Sequence, residues 1–218
     1  QEAEALVALY HPNLHPLLGV CLKWPDVGVL TELAPRGNLG HILYDGNIDI
    51  DPAQALKIAS DIARAMAYLH SLPEPIYHWN LSLSNVLVMD DDSVRVADYG
   101  FAQAPLTTRN VSGGLLYNAQ WLAPEVLRGD PKAQQRQDAV DMYAFGIMLT
   151  EIMLRQPAFG ENMNSMAIGI LVVIQKLRPI LPDFLPDPLT DLIRRCWHEV
   201  PAQRPSFQQA VIELAGIL

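Results

Sequence analysis

The sequence predicts an α+β fold that is mainly helical and carries two small antiparallel hairpins. Apolar, β-rich runs at residues 17–23 and 27–33, and again at 85–89 and 93–97, are separated by short polar turns, as in β-hairpins. An apolar period of about 3.6 residues follows Asp51-Pro52 and indicates a long amphipathic helix. With 218 residues, half of them apolar, the chain can bury the core of one domain or one large lobe.

The chain is expected to begin with a helix that leads into the first hairpin. Residues 2–10, EAEALVALY, have apolar residues at helical spacing. This helix should end at His11, because the residue before a proline is driven out of the α region. The turn of the hairpin is then Trp24-Pro25-Asp26.

The long helix and the second hairpin follow in the middle of the chain. Asp51 is the expected N-cap of the helix, and Pro52 occupies its first position. The acidic run Asp90 to Asp92 separates the strands of the hairpin. A solvated turn is favoured there over a metal site, because runs of like charge usually face solvent.

From Gln120 onward the sequence is mainly of helical type. Residues 140–154, VDMYAFGIMLTEIML, are hydrophobic on nearly every side and predict a helix through the middle of the core. Asp141 is the exception inside it, and it should accept hydrogen bonds from the backbone of another segment. Residues 178–197 predict a proline-rich loop and then a helix, and Pro205-Ser206-Phe207 opens the last helix.

Composition excludes several classes of function. A formal net charge of −9 and a pI near 5.0 argue against sequence-independent binding to nucleic-acid phosphates or anionic lipid. The longest apolar run, residues 166–174, is shorter than the about 20 residues that cross a bilayer. Cys21 and Cys196 lack metal-ligand spacing and are expected to be reduced, packed thiols. No signal peptide is recognisable, so a cytoplasmic location is expected.

Five short motifs follow one another in an order that carries more information than any one of them. They are HWNLSLSN (78–85), DYG (98–100), APE (123–125), DMYAFG (141–146) and CWHEVPAQRPSF (196–207). The series resembles the C-terminal lobe of the protein kinases, whose motifs are H-R-D-L-x-x-x-N, D-F-G and A-P-E. HPNLHPLLGVC and RRCWHEVPAQRPSF are most similar to the tyrosine-kinase-like and tyrosine-kinase groups, and the resemblance runs from Glu2 to the end of the chain.

The resemblance implies a protein-kinase-like fold of which this chain holds most. Residues 1–34 would form the remainder of the N-lobe, namely helix C, the last two strands and the hinge. Residues 35–218 would form the C-lobe, with the catalytic-loop equivalent at 78–85 and the activation segment at 98–125. The first N-lobe strands, which carry the glycine-rich loop and a lysine in the family, are absent from the chain.

The resemblance also implies ATP and Mg²⁺ as cofactors. Asn85 and Asp98 match the two residues that hold the metal in the family. The other positions that match nucleotide-binding residues are the helix-C glutamate Glu2, the gatekeeper Thr31, the hinge residues Glu32, Leu33 and Ala34, and Leu87.

The main departure from the family is Asn80, which stands where an aspartate accepts the proton of the substrate hydroxyl. An amide is not a usable base near neutral pH, and general base catalysis contributes about 10²–10⁴-fold. Ser82 replaces a lysine that would neutralise the transferring phosphoryl group. Trp79 replaces an arginine that pairs with a phosphorylated activation loop, which an indole cannot do.

Residues that maintain the fold in the family are retained in this chain, although Asn80 and Ser82 differ at catalytic positions. His78 and Tyr99 match, together with Leu6, the spine of stacked side chains that runs through kinase lobes, and Asp141 would hold the backbone around His78.

Two further sets of residues take their expected roles from the same resemblance. Glu125 and Arg204 match a buried ion pair of the family. The segment 101–119 corresponds to the activation loop, and a mobile polar loop is favoured there over a set of phosphorylation sites. Its candidate phosphorylation sites are Thr107, Thr108, Ser112 and Tyr117.

These positions favour a pseudokinase that acts as a scaffold or an allosteric partner of an active kinase or another signalling protein. The alternative is a slow ATP-dependent Ser/Thr or Tyr kinase that uses Asn85 and Asp98 with Mg²⁺ and relies on positioning. A third interpretation is a fragment without independent function, since missing N-lobe strands would expose the first helix and the hinge hairpin.

Overall fold

The computed structural model describes residues 6–23, 26–45, 48–100 and 115–217. Within these ranges the predicted α+β fold is confirmed, with two-stranded sheets beside a larger helical core. Glu2 and the candidate phosphorylation sites Thr107, Thr108 and Ser112 lie outside the described residues. None of the helices in the described ranges is both long enough and apolar enough to span a bilayer.

The strands are β1 (Leu17–Lys23), β2 (Asp26–Thr31), β3 (Val86–Val88) and β4 (Val94–Val96). The α-helices are α1 (Leu39–Tyr44), α2 (Pro52–Ser71), α3 (Pro124–Leu127), α4 (Gln137–Leu154), α5 (Ser165–Ile174), α6 (Asp187–Cys196) and α7 (Phe207–Ala215). Short 3₁₀ turns cover Leu83–Asn85, Leu115–Trp121, Pro131–Arg136 and Pro201–Gln203.

Both predicted hairpins are present as antiparallel pairs, β1 with β2 and β3 with β4. Strand β2 is shorter at its end than expected: it stops at Thr31 instead of residue 33. Strand β1 begins at Leu17, opposite Thr31, and the residue before it is Pro16, which has no N–H to donate to a further pair. The carbonyl oxygen of Glu32 instead lies 2.8 Å from Nε2 of the His15 ring. That oxygen therefore bonds to a side chain and not to a neighbouring strand.

The helices form where the sequence places their caps. Asp51 and Gln54 form a capping box at the start of α2, as Ser206 and Gln209 do at the start of α7. Helix α4 runs through the core, and every residue from Ala139 to Ile152 is buried. Helix α2 packs against both α4 and α7, so these three helices form the centre of the molecule.

Two expectations from the sequence need correction or restriction. Cys21 is exposed, not packed, because it lies in the β1–β2 hairpin, where Leu18, Val29 and Leu30 are also 55%, 50% and 63% exposed; Cys196 is buried as expected. Of the helix predicted over residues 2–10, the structure describes the part from Leu6 onward, where Leu6 and Val7 are helical and a turn follows.

A buried ion pair joins the start of α3 to the segment before α7. Arg204 donates from both terminal nitrogens to the two carboxylate oxygens of Glu125, at 2.7 and 2.8 Å. The guanidinium also donates to the carbonyl oxygens of Ala139 at 2.8 Å and His198 at 2.9 Å. It lies 5.1 Å from the centre of the Tyr143 ring. Both charged side chains are almost fully buried, so each depends on the other for its charge to be compensated.

Replacing Arg204 with alanine should lower the free energy of unfolding by about 3–5 kcal/mol, because it leaves the Glu125 carboxylate buried without its partner. Urea denaturation measures the change. The matched control is Arg195→Ala, which removes a partly exposed arginine paired with Asp191 and Glu213 and should cost at most about 1 kcal/mol. Equal losses in the two variants would contradict the structural role given to the buried pair.

Candidate functional site

The candidate site is assembled around one buried carboxylate, that of Asp141 on α4. Its Oδ2 accepts the backbone N–H of His78 at 2.7 Å, and its Oδ1 accepts that of Trp79 at 2.8 Å. The residue is 1% exposed. This is the contact expected from an acid inside an apolar helix, and it fixes the start of the loop 78–85.

A third donor to this carboxylate was not found from the sequence. His70, near the end of α2, places Nε2 at 3.0 Å from Asp141 Oδ2. Its ring packs edge-on against Tyr77 and Phe207. The two partners are 71 residues apart, and nothing in the local sequence of α2 marks His70 as different from the other histidines.

His78 joins the loop 78–85 to the loop 98–100. Its ring Nε2 lies 2.9 Å from the carbonyl oxygen of Ala97, and the backbone N–H of Ala97 donates to the carbonyl oxygen of Asn85 at 2.8 Å. Trp79 and Asp98 both have positive φ, at 61° and 58°, which is uncommon for residues other than glycine. The two polar motifs of the sequence are therefore neighbours, and their backbone is held in unusual conformations.

Asn85 and Asp98 are the residues here that could ligate a metal. The side-chain amide of Asn85 donates from Nδ2 to the carbonyl oxygen of Asn80 at 2.9 Å, which leaves its Oδ1 as a free oxygen ligand. Asp98 is exposed and carries a carboxylate. Among the described residues there is no cluster of three or more His, Cys, Asp or Glu able to hold a metal. Amide and carboxylate oxygens are ligands that Mg²⁺ accepts, and this ion commonly uses one or two protein oxygens together with phosphate oxygens.

Asn80 is engaged by a residue that sequence reasoning missed. Asn118 donates from its side-chain Nδ2 to Asn80 Oδ1 at 3.1 Å. Asn118 lies at the kink in the 3₁₀ segment Leu115–Trp121, just before the APE motif. The two amides close over a cavity of about 10 Å³ lined also by Trp79 and Trp121, which is at most large enough for one water molecule.

The two other altered positions, Ser82 and Trp79, are buried. Ser82 is 0% exposed, and its Oγ lies 2.9 Å from Oγ of Ser84. Trp79 is 7% exposed and belongs to the core. Neither position presents a positive charge to the loop that holds Asn80.

The predicted hinge lies along one edge of this assembly. Thr31 and Glu32 are exposed, and Ala34 and Leu87 are half-buried. The carboxylate of Glu32 accepts a hydrogen bond from Arg95 Nη1 at 2.6 Å, while its carbonyl oxygen is bound by His15 as described above. One lone pair of that carbonyl remains, because a carbonyl oxygen can accept two hydrogen bonds.

The residues expected to form a spine are all buried. Leu6, His78 and Tyr99 are each at most 7% exposed, and the Tyr99 hydroxyl donates to the carbonyl oxygen of His15 at 3.0 Å. Gly100 has φ +77°, and a Cβ there would lie 2.6 Å from Leu6 Cδ2. The backbone conformation therefore favours glycine at this position, and a side chain there would displace the end of the Leu6 side chain. Of Tyr117, the fourth candidate phosphorylation site, the structure describes only the backbone.

Glu151 is a second buried acid in α4, so Asp141 is not the only exception in the apolar run 140–154. Its Oε2 accepts the indole N–H of Trp121 at 2.7 Å, and its Oε1 accepts the backbone N–H of Ala158 at 3.3 Å. The Tyr44 hydroxyl also bonds to it. Burial raises the pKa of Glu151 to about 7 against these hydrogen bonds, which favour the ionised form. Glu151 thus anchors the end of the segment that contains Asn118.

Comparison with known proteins gives a match to one family over nearly the whole chain. The family described as protein tyrosine and serine/threonine kinase matches residues 1–214. The probable serine/threonine-protein kinase drkC of Dictyostelium discoideum is 36% identical over 219 residues, which cover 100% of this chain and 29% of that protein.

Two further relatives match, one named as a scaffold protein and one as a dual specificity protein kinase. Scaffold protein ILK of Homo sapiens is 34% identical over 217 residues, which cover 97% of this chain and 46% of that protein. Dual specificity protein kinase shkA of Dictyostelium discoideum is 33% identical over 222 residues, which cover 100% of this chain and 41% of that protein. The chain therefore spans less than half the length of these relatives, and their names include both enzymes and a scaffold.

Glu151 should make stability depend on pH. Its pKa is raised from 4.5 in the unfolded chain to about 7 in the folded one, so the folded chain binds the proton more tightly. The free energy of unfolding should then be greatest below about pH 4.5 for this group and fall as pH rises to about 7. The full loss is about 3 kcal/mol, since one pKa unit corresponds to about 1.4 kcal/mol.

Urea denaturation at a series of pH values between about 5 and 8 measures this dependence. The variant Glu151→Gln keeps an acceptor for the Trp121 indole and has no proton to lose, so its stability should fall less than that of the wild type over this range. The control Glu161→Gln changes an exposed glutamate and should leave the wild-type slope unchanged. A Glu151→Gln slope equal to that of the wild type would show that this group does not titrate as described.

Proposed function

Because this chain belongs to the protein tyrosine and serine/threonine kinase family, we propose that it is a pseudokinase domain whose function is to bind proteins as a scaffold or allosteric partner. The observation that carries this proposal is Asn80 at the position of the catalytic base, with its side-chain amide engaged by Asn118. The proposal places the domain in the cytoplasm, since Cys21 and Cys196 are both unpaired and suit a reducing compartment.

The Asn80–Asn118 contact supports impaired catalysis whichever way the two amides are turned. The nitrogen and oxygen of an amide are assigned from their hydrogen bonds, and either assignment leaves a neutral group at this position. A neutral amide cannot take the proton of a substrate hydroxyl near neutral pH, whereas a base there contributes about 10²–10⁴-fold to the rate. Asn80 therefore does not support proton transfer in either orientation, and its contact with Asn118 keeps the side chain engaged.

The surroundings of Ser82 support the same proposal. Serine/threonine kinases use a lysine there to offset the charge of the transferring phosphoryl group. Ser82 is fully buried against Ser84, so this chain brings no cation from that position. Catalysis of phosphoryl transfer depends mainly on positioning and on such charge stabilisation. Two contributions to catalysis, the base at residue 80 and the cation at residue 82, are thus weakened together.

Nucleotide binding is a separate part of the proposal. Members of the family use ATP with Mg²⁺, and the metal, when bound, neutralises phosphate charge. Asn85 Oδ1 and the Asp98 carboxylate are the protein oxygens that would hold it. The hinge could offer adenine the remaining lone pair of the Glu32 carbonyl and the backbone of Leu33 and Ala34. A bound nucleotide would bias the conformation of the domain instead of donating phosphate.

A protein-binding role is supported by the outer face of α5. This helix, SMAIGILVVI, contains no charged residue, and its buried residues are Ile168, Gly169 and Val172. Met166, Ile170 and Ile174 recur every fourth residue along the exposed side and are 49%, 51% and 73% exposed. A continuous apolar stripe on the exposed side of a helix commonly marks a contact with another protein.

A weakly active Ser/Thr or Tyr kinase is the second candidate. The specific observation that favours it is that both metal-ligating positions, Asn85 and Asp98, are retained next to the altered base. Relatives that carry kinase names, such as drkC and shkA, are consistent with it. In this case the enzyme would rely on positioning alone and would transfer phosphate slowly.

We expect the purified protein to transfer phosphate from ATP to itself or to a generic protein substrate at least about 100-fold more slowly than the about 1–100 s⁻¹ of ordinary kinases. Radiolabelled ATP measures the rate. A rate in the ordinary range that Asn80→Ala abolishes would overturn the proposal.

Asn80→Asp separates the two candidates. An increase of roughly 10²-fold or more, lost again in Asn80→Asp combined with Asp98→Asn, indicates an enzyme that lacks only its base and favours the second candidate. No increase favours the scaffold. Asp183→Asn, at an exposed position outside the site, is the control for the loss of one carboxylate.

Binding of ATP with Mg²⁺ should raise the melting temperature. At a nucleotide concentration about 100-fold above the dissociation constant the stabilisation is about 2.7 kcal/mol, which corresponds to roughly 5–10 °C for a domain of this size. Asp98→Asn should remove the part of the shift that depends on Mg²⁺, and Asp183→Asn should not. Absence of any shift in the wild type would exclude the nucleotide-gated form of the scaffold and leave the constitutive one.

A further inference from the structure

The hydroxyl of Tyr99 is a group that the family motif D-F-G does not carry, since phenylalanine stands at its second position. It donates to the carbonyl oxygen of His15 at 3.0 Å, and Tyr99 is buried. A buried hydroxyl without a partner would be costly, so this bond holds Tyr99 against His15. The residue after Asp98 is therefore attached to a segment that belongs to neither loop of the candidate site.

The backbone of this segment is attached to β4, the strand that leads into the loop 98–100. The N–H of His15 donates to the carbonyl oxygen of Val96 at 2.8 Å, and the N–H of Val96 donates to that of Asn13 at 2.8 Å. The buried side chain of Asn13 donates to the carbonyl oxygen of Val94 at 3.1 Å. The backbone position of His15 is thus fixed relative to β4.

The imidazole ring of His15 reaches the hinge. Its Nε2 lies 2.8 Å from the carbonyl oxygen of Glu32, and because a carbonyl oxygen can only accept, Nε2 carries the proton and donates it. His15 is 3% exposed, and its Nδ1 has no hydrogen-bond partner in the described part of the chain. Within that part the Glu32 carbonyl is therefore the only hydrogen-bond partner of the ring, and it sets the orientation of the ring.

Asp98 lies between two anchored neighbours. On one side, the N–H of Ala97 donates to the carbonyl oxygen of Asn85 at 2.8 Å, which ties it to the loop 78–85. On the other side, Tyr99 is tied to His15. The backbone of Asp98 has φ 58°, a conformation that persists in a non-glycine residue only when its surroundings impose it. The Tyr99 hydroxyl therefore helps to keep the metal-ligating carboxylate in place.

We propose that His15 is a positioning residue that couples the loop 98–100 to the hinge. Its carbonyl oxygen holds Tyr99 and its ring holds the carbonyl of Glu32, so a displacement at either end is felt at the other. The use of this coupling rests on the proposed binding of nucleotide: a metal-competent position of Asp98 and an adenine-competent position of the hinge favour each other. The effect is reciprocal, as linkage between two sites requires.

The first test needs no nucleotide. In protein with isotope-labelled histidine, the Nε2–H of His15 should give an NMR signal that exchanges slowly with solvent and is absent in His15→Gln. Tyr99→Phe removes only the hydroxyl and should make this exchange at least about threefold faster, because one hydrogen bond corresponds to roughly two- to tenfold. Tyr10→Phe, at a residue 85% exposed, is the matched control and should change the rate less than about twofold.

The ring N–H of His70, which lies 3.0 Å from Asp141, is the internal reference in the same spectra. Its exchange should stay within about twofold of the wild type in Tyr99→Phe. An unchanged rate at His15 overturns the coupling. Equal acceleration at His15 and His70 means a general loosening of the fold and overturns it as well.

The second test uses adenosine, which carries the base for the hinge and no phosphate to reach the metal-ligating residues. Calorimetric titration measures its dissociation constant. Tyr99→Phe should weaken binding about three- to tenfold, although the lost hydroxyl belongs to the other loop. His15→Leu should weaken it by a similar factor, and His15→Gln, whose amide keeps an N–H for Glu32, should stay within about twofold of the wild type. Unchanged adenosine binding in Tyr99→Phe overturns the coupling.

Failure of the coupling and failure of the proposed nucleotide binding give different results. A wild-type protein that binds neither adenosine nor ATP with Mg²⁺ contradicts nucleotide binding, and the exchange rate of His15 in Tyr99→Phe then decides the coupling alone. If His15→Leu does not fold, Tyr99→Phe still decides, since it places the residue of the family motif at that position.

Discussion

The structure depends most on the carboxylate of Asp141. It sits in the middle of an apolar helix, where an ionised group without donors would be strongly destabilising. Donors come from the backbone of His78 and Trp79 and from the ring of His70, which belong to two different segments. Because the acid must be satisfied, the loop 78–85 has to lie against α4 for the core to form. From there the His78 ring reaches Ala97 and places Asp98 beside the same loop.

Because the loops are held by Asp141, a chain can keep the fold of the family while its catalytic residues change. The contacts that hold the loops use backbone groups, buried rings and the Glu125–Arg204 pair, none of which involves the side chain of residue 80. The groups that perform phosphoryl transfer act through side-chain atoms that face the substrate. An amide at Asn80 therefore changes what the site can do while leaving Asp141, His78 and Asn85 in place. The amide at residue 80 is therefore compatible with the same fold.

Part of this arrangement could be predicted from the sequence. Asp141 was predictable because an acid within an apolar helical run must find donors, and the hairpins and capped helices followed from local patterns. The Glu125–Arg204 pair came only from the resemblance to the kinase motifs. Glu151 carried the same signal as Asp141, an acid inside the same run, and was overlooked. His70 and Asn118 carried no local signal, since their partners are 71 and 38 residues away and meet them only in the fold.

The exposure of Cys21 and the early end of β2 have the same kind of cause. Each is decided by what lies beside the strand: the exposed hairpin around Cys21, and Pro16 before β1 together with the His15 ring at the carbonyl of Glu32. Propensity indicates which residues can form a strand, but the competing partner decides where the strand stops. The hinge is therefore the part of the candidate site for which sequence reasoning had least support.

Helix α4 carries both of the acids that determine where Asn80 and Asn118 meet. Asp141 and Glu151 are ten residues apart, or about 15 Å along the helix at 1.5 Å per residue. The first holds the backbone next to Asn80, and the second holds Trp121, three residues after Asn118. The contact between the two amides is thus set by two anchors that do not touch it. A substitution of similar size, such as Asn80→Asp, should therefore change the chemistry of that contact and leave the backbone in place, because the backbone on each side is positioned by a different buried carboxylate.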